Sequence, residues 1–191
     1  MQFVKSYHMR LMEVLLANKQ SIDSGIQRLL EMVLEVSGQK GSVWVIGNGG
    51  SASTAEHFET DMSYVRHQSI DVFCGVTALS SNSSLVSATA NDTSYNDLYR
   101  ILLKRKAKSG DLLISISASG NSPNIIGAIQ EAKVMGVKTF SLLGFDGGRV
   151  LEISDYSLVV KTNLGEYGVV EDIHLSICHA VANNLLNKIS T

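Results

Sequence analysis

Short apolar runs alternate with longer segments of helical periodicity along most of this chain. An apolar run of about four to eight residues is typical of a buried strand, and apolar residues three or four positions apart are typical of an amphipathic helix. The runs predict strands at 43–46, 72–79, 112–116, 139–143 and 156–160. The helical patterns predict helices at 52–65, 83–90, 97–107, 123–135 and 169–189.

Before the first strand, the first 38 residues show helical periodicity twice. Apolar residues recur at helical spacing from Val4 to Leu15 and again from Ile22 to Leu34, and Gly38 marks the stop. We therefore expect two N-terminal helices over 1–38. They form an extension that covers the sheet or packs against another subunit.

The alternation of strands and helices predicts an α/β fold. A parallel sheet of five strands would lie between two layers of helices, as a three-layer sandwich. The chain has 191 residues, one proline and no change of composition along its length, so we expect a single domain over 1–191. Ligands of such sheets bind beyond the carboxyl ends of the strands.

Composition and charge narrow the possible partners. The formal net charge of −2 gives no excess of positive charge to attract nucleic acid or an anionic membrane surface. No apolar run in the sequence is long enough to cross a bilayer. Two cysteines make no disulfide framework, so a reducing cytoplasm is expected. The apolar content of 45% suggests additional surface that is buried in an oligomer, although a large core alone would also account for it.

The segment 47–53 is the first candidate ligand loop, because the first predicted strand runs into glycines and then into a helix. Glycines let the backbone approach a ligand, and the free N–H groups of a helix start favour an anion such as phosphate. The loop also fits the pattern of a dinucleotide site, but no acidic residue follows the second strand at 77–81 to bind a ribose. We therefore expect no nucleotide cofactor.

A second candidate phosphate loop follows the third strand at 117–123. Ser117, Ser119 and Ser122 precede a helix that carries Pro123 in its first turn and ends before Gly136. Hydroxyls beside a helix start suit a phosphate monoester. An equally simple interpretation is a turn in which Ser122 only caps the helix.

Three segments together, 47–51, 117–122 and 144–148, resemble the SIS (sugar isomerase) domain family and most of all its phosphoheptose isomerases. The resemblance implies a homotetramer with active sites between subunits. It also implies a bound zinc ion and an aldose–ketose isomerase that converts sedoheptulose 7-phosphate to D-glycero-D-manno-heptose 7-phosphate. The residues that it assigns to the substrate are Asn48, Gly49, Gly50, Ser51, Asn91, Asp92, Ser117, Ser119, Ser122 and Glu171.

Two helices carry the residues that could transfer protons. His57 and Asp61 lie roughly 40° apart on one helix face, and Glu171 and His179 lie roughly 80° apart on the last helix. Taken alone, the first pair is typical of a solvent-exposed face and His179 is typical of a core histidine. The resemblance instead implies Asp61 and His179 as base and acid, and His57, Asp61, Glu171 and His179 as metal ligands.

The chain departs from that family pattern at three places. Asp61 stands where glutamate is usual, Glu171 stands where glutamine is usual, and Gly168 and Val169 replace an Asp-Arg pair. These departures leave two other functions open. One is isomerisation of a different sugar phosphate, and the other is a non-catalytic SIS protein that senses a sugar phosphate or acts as an adaptor.

Overall fold

The protein is built on one five-stranded parallel sheet with the strand order β2-β1-β3-β4-β5. The structure is a computed structural model that describes residues 2–68 and 74–189. The strands are β1 (Val43–Gly47), β2 (Val76–Ala78), β3 (Leu112–Ser117), β4 (Lys138–Gly144) and β5 (Tyr156–Val160). The helices are α1 (Gln2–Gly38), α2 (Gly50–Gln68), α3 (Ser83–Asp92), α4 (Leu98–Lys106), α5 (Pro123–Met135), α6 (Gly148–Ile153) and α7 (Tyr167–Ile189), with a 3-10 turn at Tyr95–Asp97.

Helices cover the sheet on both faces, which confirms the predicted three-layer α/β fold. Alternate side chains of β3 point to opposite faces: Leu112 and Ile114 pack with α1, α2 and α7, and Leu113 packs with α4 and α5. Every residue of β3 is buried, as expected for the central strand of a parallel sheet. Two apolar cores therefore share one sheet, and each core fixes one layer of helices.

The N-terminal region forms one continuous helix, so the expectation of two helices over 1–38 was wrong. Asn18 lies at a core-facing position of α1, where an apolar residue would have continued the pattern. Its side chain donates to the Val14 and Lys161 carbonyls and accepts from the Lys161 amide. A buried amide whose partners lie elsewhere in the chain thus interrupts the apolar periodicity without interrupting the helix.

Several element boundaries also differ from those predicted. The second strand spans only Val76–Ala78, and residues 72 and 73 of the predicted strand lie outside the described residues. The predicted helix at 97–107 begins as the 3-10 turn and becomes α-helical at Leu98. The six-residue helix α6 was not predicted, because it is too short to show a period.

The strand order places a topological switch point between β1 and β3. The chain leaves β1 toward one face of the sheet and leaves β3 toward the other, so their carboxyl ends border a crevice where ligands of open parallel sheets bind. The two predicted phosphate loops follow these two strands. None of the helices in the described part of the chain is both long enough and apolar enough to span a membrane.

Candidate active site

The loop after β1 is shaped so that Ser51 lies in the first turn of α2. Gly49 has a φ of +54°, which favours glycine, and a Cβ on Gly47 would lie 2.5 Å from the Ser51 carbonyl oxygen. Ser51 itself is buried, with 5% of its surface exposed. The loop thus brings a buried hydroxyl and the N-terminal N–H groups of α2 to the switch point.

The loop after β3 is held by its own serines. The Ser117 hydroxyl accepts a hydrogen bond from the Gly120 amide at 3.1 Å, and the Ser119 hydroxyl accepts one from the Asn121 amide at 3.3 Å. Ser122 is the N-cap residue of α5, but its hydroxyl makes no capping hydrogen bond within the described parts of the chain. The interpretation of Ser122 as only a cap is therefore not supported, and its hydroxyl is available to a ligand.

The third segment of the sequence resemblance, 144–148, lies directly behind the serine loop. Gly120 has a φ of +60°, and a Cβ there would lie 2.0 Å from the Gly147 carbonyl oxygen. The Arg149 and Val150 amides donate to the Asn121 side chain and the Gly120 carbonyl, at 3.0 and 2.9 Å. The start of α6 thus supports the serine loop from behind, and a larger residue at 120 would push the two segments apart.

Asn48 uses its side chain to hold the two loops together. Its amide exchanges two hydrogen bonds with the Asn124 amide, each 2.9 Å long, and its oxygen also accepts one from the Tyr95 hydroxyl at 2.9 Å. The Tyr99 hydroxyl donates to the neighbouring Gly47 carbonyl. Sequence reasoning assigned Asn48 to the substrate and missed Asn124, Tyr95 and Tyr99, since only the folded chain brings these residues together.

A cluster of two histidines and one carboxylate lies where α2 crosses α7. The Nε2 atoms of His57 and His179 are 3.0 Å apart, and each lies 3.6 to 3.7 Å from one of the two carboxylate oxygens of Asp61. Within residues 2–68 and 74–189, these are the three side chains whose ligand atoms could hold one metal ion, all within 4.8 Å of one another. The structure therefore brings together His57, Asp61 and His179, which are three of the four residues that the sequence analysis named as metal ligands.

The donor atoms of this cluster fit a divalent cation. The Oδ2 atom of Asp61 is buried and has no hydrogen-bond partner among the described residues, and an unpaired buried carboxylate oxygen is costly. Two imidazole nitrogens and a carboxylate make a borderline-soft donor set of the kind that zinc prefers. A cation at this point would give the Oδ2 atom of Asp61 a partner, and so would a proton shared with a histidine.

The cluster is accessible and borders a cavity. The His57 side chain is 49% exposed, and Asp61 and His179 line a cavity of about 330 Å³ together with Tyr64, Asn183 and Leu186 on α2 and α7. Burial and the Asp61 charge raise the pKa of the neighbouring Cys178 to about 12, so this thiol is protonated and is not a nucleophile. The reactive groups of the cluster are therefore the two imidazoles and the carboxylate.

One of the four predicted metal ligands, Glu171, does not join this cluster. Glu171 precedes His179 by eight residues, about 12 Å along the helix axis, and its carboxylate lies against Gly50, where a Cβ would approach Oε2 to 2.6 Å. The structure thus places Glu171 beside the loop after β1 and apart from the cluster of His57, Asp61 and His179. Asn91 and Asp92 bond to each other and border an open cavity of about 660 Å³ that is lined by α3 itself.

The start of α7, which carries Glu171, is fixed by α1. The Tyr7 hydroxyl donates to Asp172 at 2.7 Å, and Arg10 donates to both carboxylate oxygens of Glu166 at 2.7 and 2.9 Å. The hydrogen bond to Asp172 is the main reason that the pKa of Tyr7 rises to about 12. Both contacts join residues more than 150 positions apart, so sequence periodicity gave no signal for them.

The fold is that of a parallel α/β domain, and comparison with known proteins gives its class. A family model for the SIS domain matches residues 6–144, which is well over half of the chain, so the protein belongs to the SIS-domain family.

Individual relatives show which members of that family the chain is most similar to among those compared. The chain is 33% identical over 176 residues to a phosphoheptose isomerase of Chlorobium phaeobacteroides, covering 92% of this chain and 76% of the relative. It is 31% identical over 175 residues to one of Helicobacter pylori, covering 88% and 90%. The structure of a phosphoheptose isomerase from Neisseria gonorrhoeae superposes with a TM-score of 0.88 over 96% of this chain and 97% of that one, at 24% identity. The protein is thus a member of the phosphoheptose isomerase family.

Proposed function

We propose that this enzyme, an aldose–ketose isomerase by family, interconverts sedoheptulose 7-phosphate and D-glycero-D-manno-heptose 7-phosphate in heptose biosynthesis. One observation carries the proposal. The helix α2 begins at the proposed phosphate loop, and further along it His57 and Asp61 face His179 of α7. His57 follows Ser51 by six residues, about 9 Å along the axis. A phosphorylated sugar of several carbons is long enough to bridge that distance.

The phosphate group would bind at the switch point between the two loops. Four hydroxyls would be offered there by Ser51, Ser117, Ser119 and Ser122, since the Ser117 and Ser119 hydroxyls accept from loop amides and can still donate to a phosphate. The helices α2 and α5 direct their N-terminal N–H groups to the same region. The carboxylate of Glu171 lies over the first loop and would accept hydrogen bonds from sugar hydroxyls. We also retain Asn91 and Asp92 as sugar-binding candidates, contributed from the surface of α3.

Asp61 and His179 would carry the proton transfers. In the ketose-to-aldose direction, Asp61 removes a proton from C1, and the electron pair moves into a C1–C2 double bond to give an enediolate. His179 delivers a proton to the oxygen at C2 and accepts one from the oxygen at C1. Asp61 then returns its proton to C2, which leaves the aldose and the original protonation state of the enzyme.

A zinc ion, where one is bound, would be held by His57, Asp61 and His179 and would act as a Lewis acid toward the substrate oxygens. This role competes with proton transfer at the same atom, because a nitrogen that holds a cation cannot also carry a proton. The Nε2 atom of His179 is the atom in question. Isomerase activity measured with and without a chelator separates the two roles.

The assembly that we propose is a cytoplasmic homotetramer with no nucleic acid or membrane partner. Support comes from α1, where Met9, Met12 and Leu16 are exposed by 61%, 60% and 72% at helical spacing on the face turned away from the core. The open edge of the histidine cluster is also consistent with a site that a neighbouring subunit completes.

The proposed reaction is tested with a panel of ketose phosphates of five, six and seven carbons, incubated with the enzyme with and without EDTA and analysed for aldose phosphates. We expect conversion of the seven-carbon ketose and a loss of roughly 100-fold or more in His179→Ala. Ser176→Ala, which removes an exposed hydroxyl of the same helix, is the matched control. Undiminished turnover in His179→Ala would remove this residue from the mechanism.

A further inference from the structure

The two loops of the site are joined by a reciprocal amide pair. Asn48 belongs to the loop after β1, and Asn124 is the second residue of α5, two positions after Ser122. Each side chain donates one hydrogen bond to the other and accepts one from it, and both bonds are 2.9 Å long. Such a ring fixes the separation of the two side chains and also the plane in which they lie.

Asn124 is the buried member of the pair, and the oxygen of Asn48 accepts two hydrogen bonds. Asn124 is only 1% exposed, and the oxygen of Asn48 receives a second hydrogen bond from Tyr95 in the 3-10 turn before α4. A side-chain amide oxygen accepts two hydrogen bonds, so none of that capacity remains for a ligand. The oxygen of Asn48 is therefore committed to the protein, whereas its amide nitrogen donates one hydrogen bond to Asn124 and has a second N–H with which it can still donate to a phosphate.

We propose that Asn124 is a positioning residue for phosphate recognition, acting through Asn48 and supported by Tyr95. The inference rests on the proposed function, because it takes the phosphate to bind between the starts of α2 and α5. The amide pair sets how far apart these helix starts lie and how they are turned. It therefore decides whether the N–H groups and hydroxyls of both loops reach the same phosphate oxygens.

A change in the separation of the two helix starts affects phosphate binding more than the reacting groups. A phosphate that is bound by two helix starts loses hydrogen bonds from one of them when their separation changes by a fraction of a bond length. The histidine cluster lies further along α2 and is held by its packing against α7, so the reacting groups keep their arrangement. Disruption of the amide pair should thus weaken binding much more than the chemical step.

The matched pair of variants is Asn124→Ala and Asn18→Ala. Asn18 is also a buried asparagine whose amide joins distant segments, since it bonds to Lys161 beyond β5, but it lies away from both loops. Each variant is compared with wild type by its melting temperature, by its dissociation constant for inorganic phosphate from calorimetry, and by KM and kcat. Tyr95→Phe removes a single hydrogen bond from the same network and is measured alongside.

For Asn124→Ala we expect the dissociation constant for phosphate and the KM to rise together by about tenfold, with kcat within about threefold of wild type. Tyr95→Phe should weaken phosphate binding by about threefold. Asn18→Ala should lower the melting temperature while phosphate binding and KM stay at wild-type values. If Asn124→Ala does not fold, Tyr95→Phe decides the question alone.

Three results would overturn the inference. The first is wild-type phosphate affinity in Asn124→Ala and Tyr95→Phe, the second is an equal loss of affinity in Asn18→Ala, and the third is a wild-type protein that does not bind phosphate. A protein that binds phosphate but isomerises no ketose phosphate would contradict the proposed function only. The phosphate measurements would then still test the amide pair.

Discussion

At the scale of single residues, the buried histidine in α7 is the clearest case of a titratable group that serves the fold. His174 is fully buried, and its Nε2 atom lies 3.1 Å from the Leu143 carbonyl oxygen, which accepts a hydrogen bond from the neutral ring. Burial lowers the pKa of His174 to about 4 from its ordinary value of 6.5. Taken alone, the apolar pattern made His179 typical of a core histidine, but His174 is the histidine that lies in the core.

The low pKa of His174 predicts a loss of stability in acid. Between pH 6.5 and 4 the unfolded chain binds a proton at this site and the folded protein does not, so the free energy of unfolding falls as the pH falls. Protonation at this site should lower the free energy of unfolding by roughly 2 kcal/mol between pH 7 and pH 5. Urea unfolding at the two pH values measures it.

The control for this prediction is His174→Gln, which retains a donor for the Leu143 carbonyl but does not titrate. The variant should lose about 2 kcal/mol less than wild type over the same pH interval. An equal loss in both proteins would show that other groups are responsible for the pH dependence.

At the scale of elements, glycine allows α1 to lie close to the sheet. A Cβ on Gly25 would fall 2.3 Å from Cδ1 of Leu158 in β5, and the Cγ and Cβ atoms of Leu158 would also be closer than 3 Å. The leucine cannot avoid this clash by rotating its end alone. Gly38, at the last position of the same helix, has open space around it.

These surroundings predict opposite outcomes for two glycine-to-alanine changes. Gly25→Ala should destabilise the protein by about 1 to 3 kcal/mol through overpacking, whereas Gly38→Ala should change the free energy of unfolding by less than about 0.5 kcal/mol. Denaturant unfolding of both variants provides the comparison. Equal effects would mean that α1 does not pack on β5 as described.

The elements also show what the sequence could and could not predict. The helix Pro123–Met135 and the strand Tyr156–Val160 are confirmed with their predicted ends, because proline, glycine and the apolar pattern act locally there. The continuous α1 was missed because the partner of Asn18 is more than 140 residues away. The same holds for Asn124, whose role depends on Asn48 in another loop.

At the scale of the whole molecule, the strand order explains why distant segments form one site. Loops 47–51 and 117–122 meet because β1 and β3 are neighbours at the switch point, and α2 and α7 meet because both cover the same face. The candidate histidines and carboxylates and the two loops could therefore be recognised in the sequence. The grouping of His57, Asp61 and His179 without Glu171 required the crossing of the two helices.

The proposed tetramer gives a prediction for the exposed face of α1. Met12→Glu would place a charge in the apolar stripe formed with Met9 and Leu16, and we expect it to lower the mass of the assembly measured by light scattering. Val134→Glu adds the same charge at an 83% exposed position of α5 and should leave the assembly unchanged. A Met12→Glu protein of wild-type mass would exclude this face as a subunit interface.

The proposed isomerisation depends on Asp61 as the base that moves the proton of the sugar phosphate, and Asp61→Asn removes that base. The change preserves the size of the side chain but removes the carboxylate base. We predict that turnover of sedoheptulose 7-phosphate falls by roughly 100-fold or more, while the dissociation constant for inorganic phosphate stays within about twofold of wild type. Turnover at the wild-type rate in a variant that still binds phosphate would contradict the account.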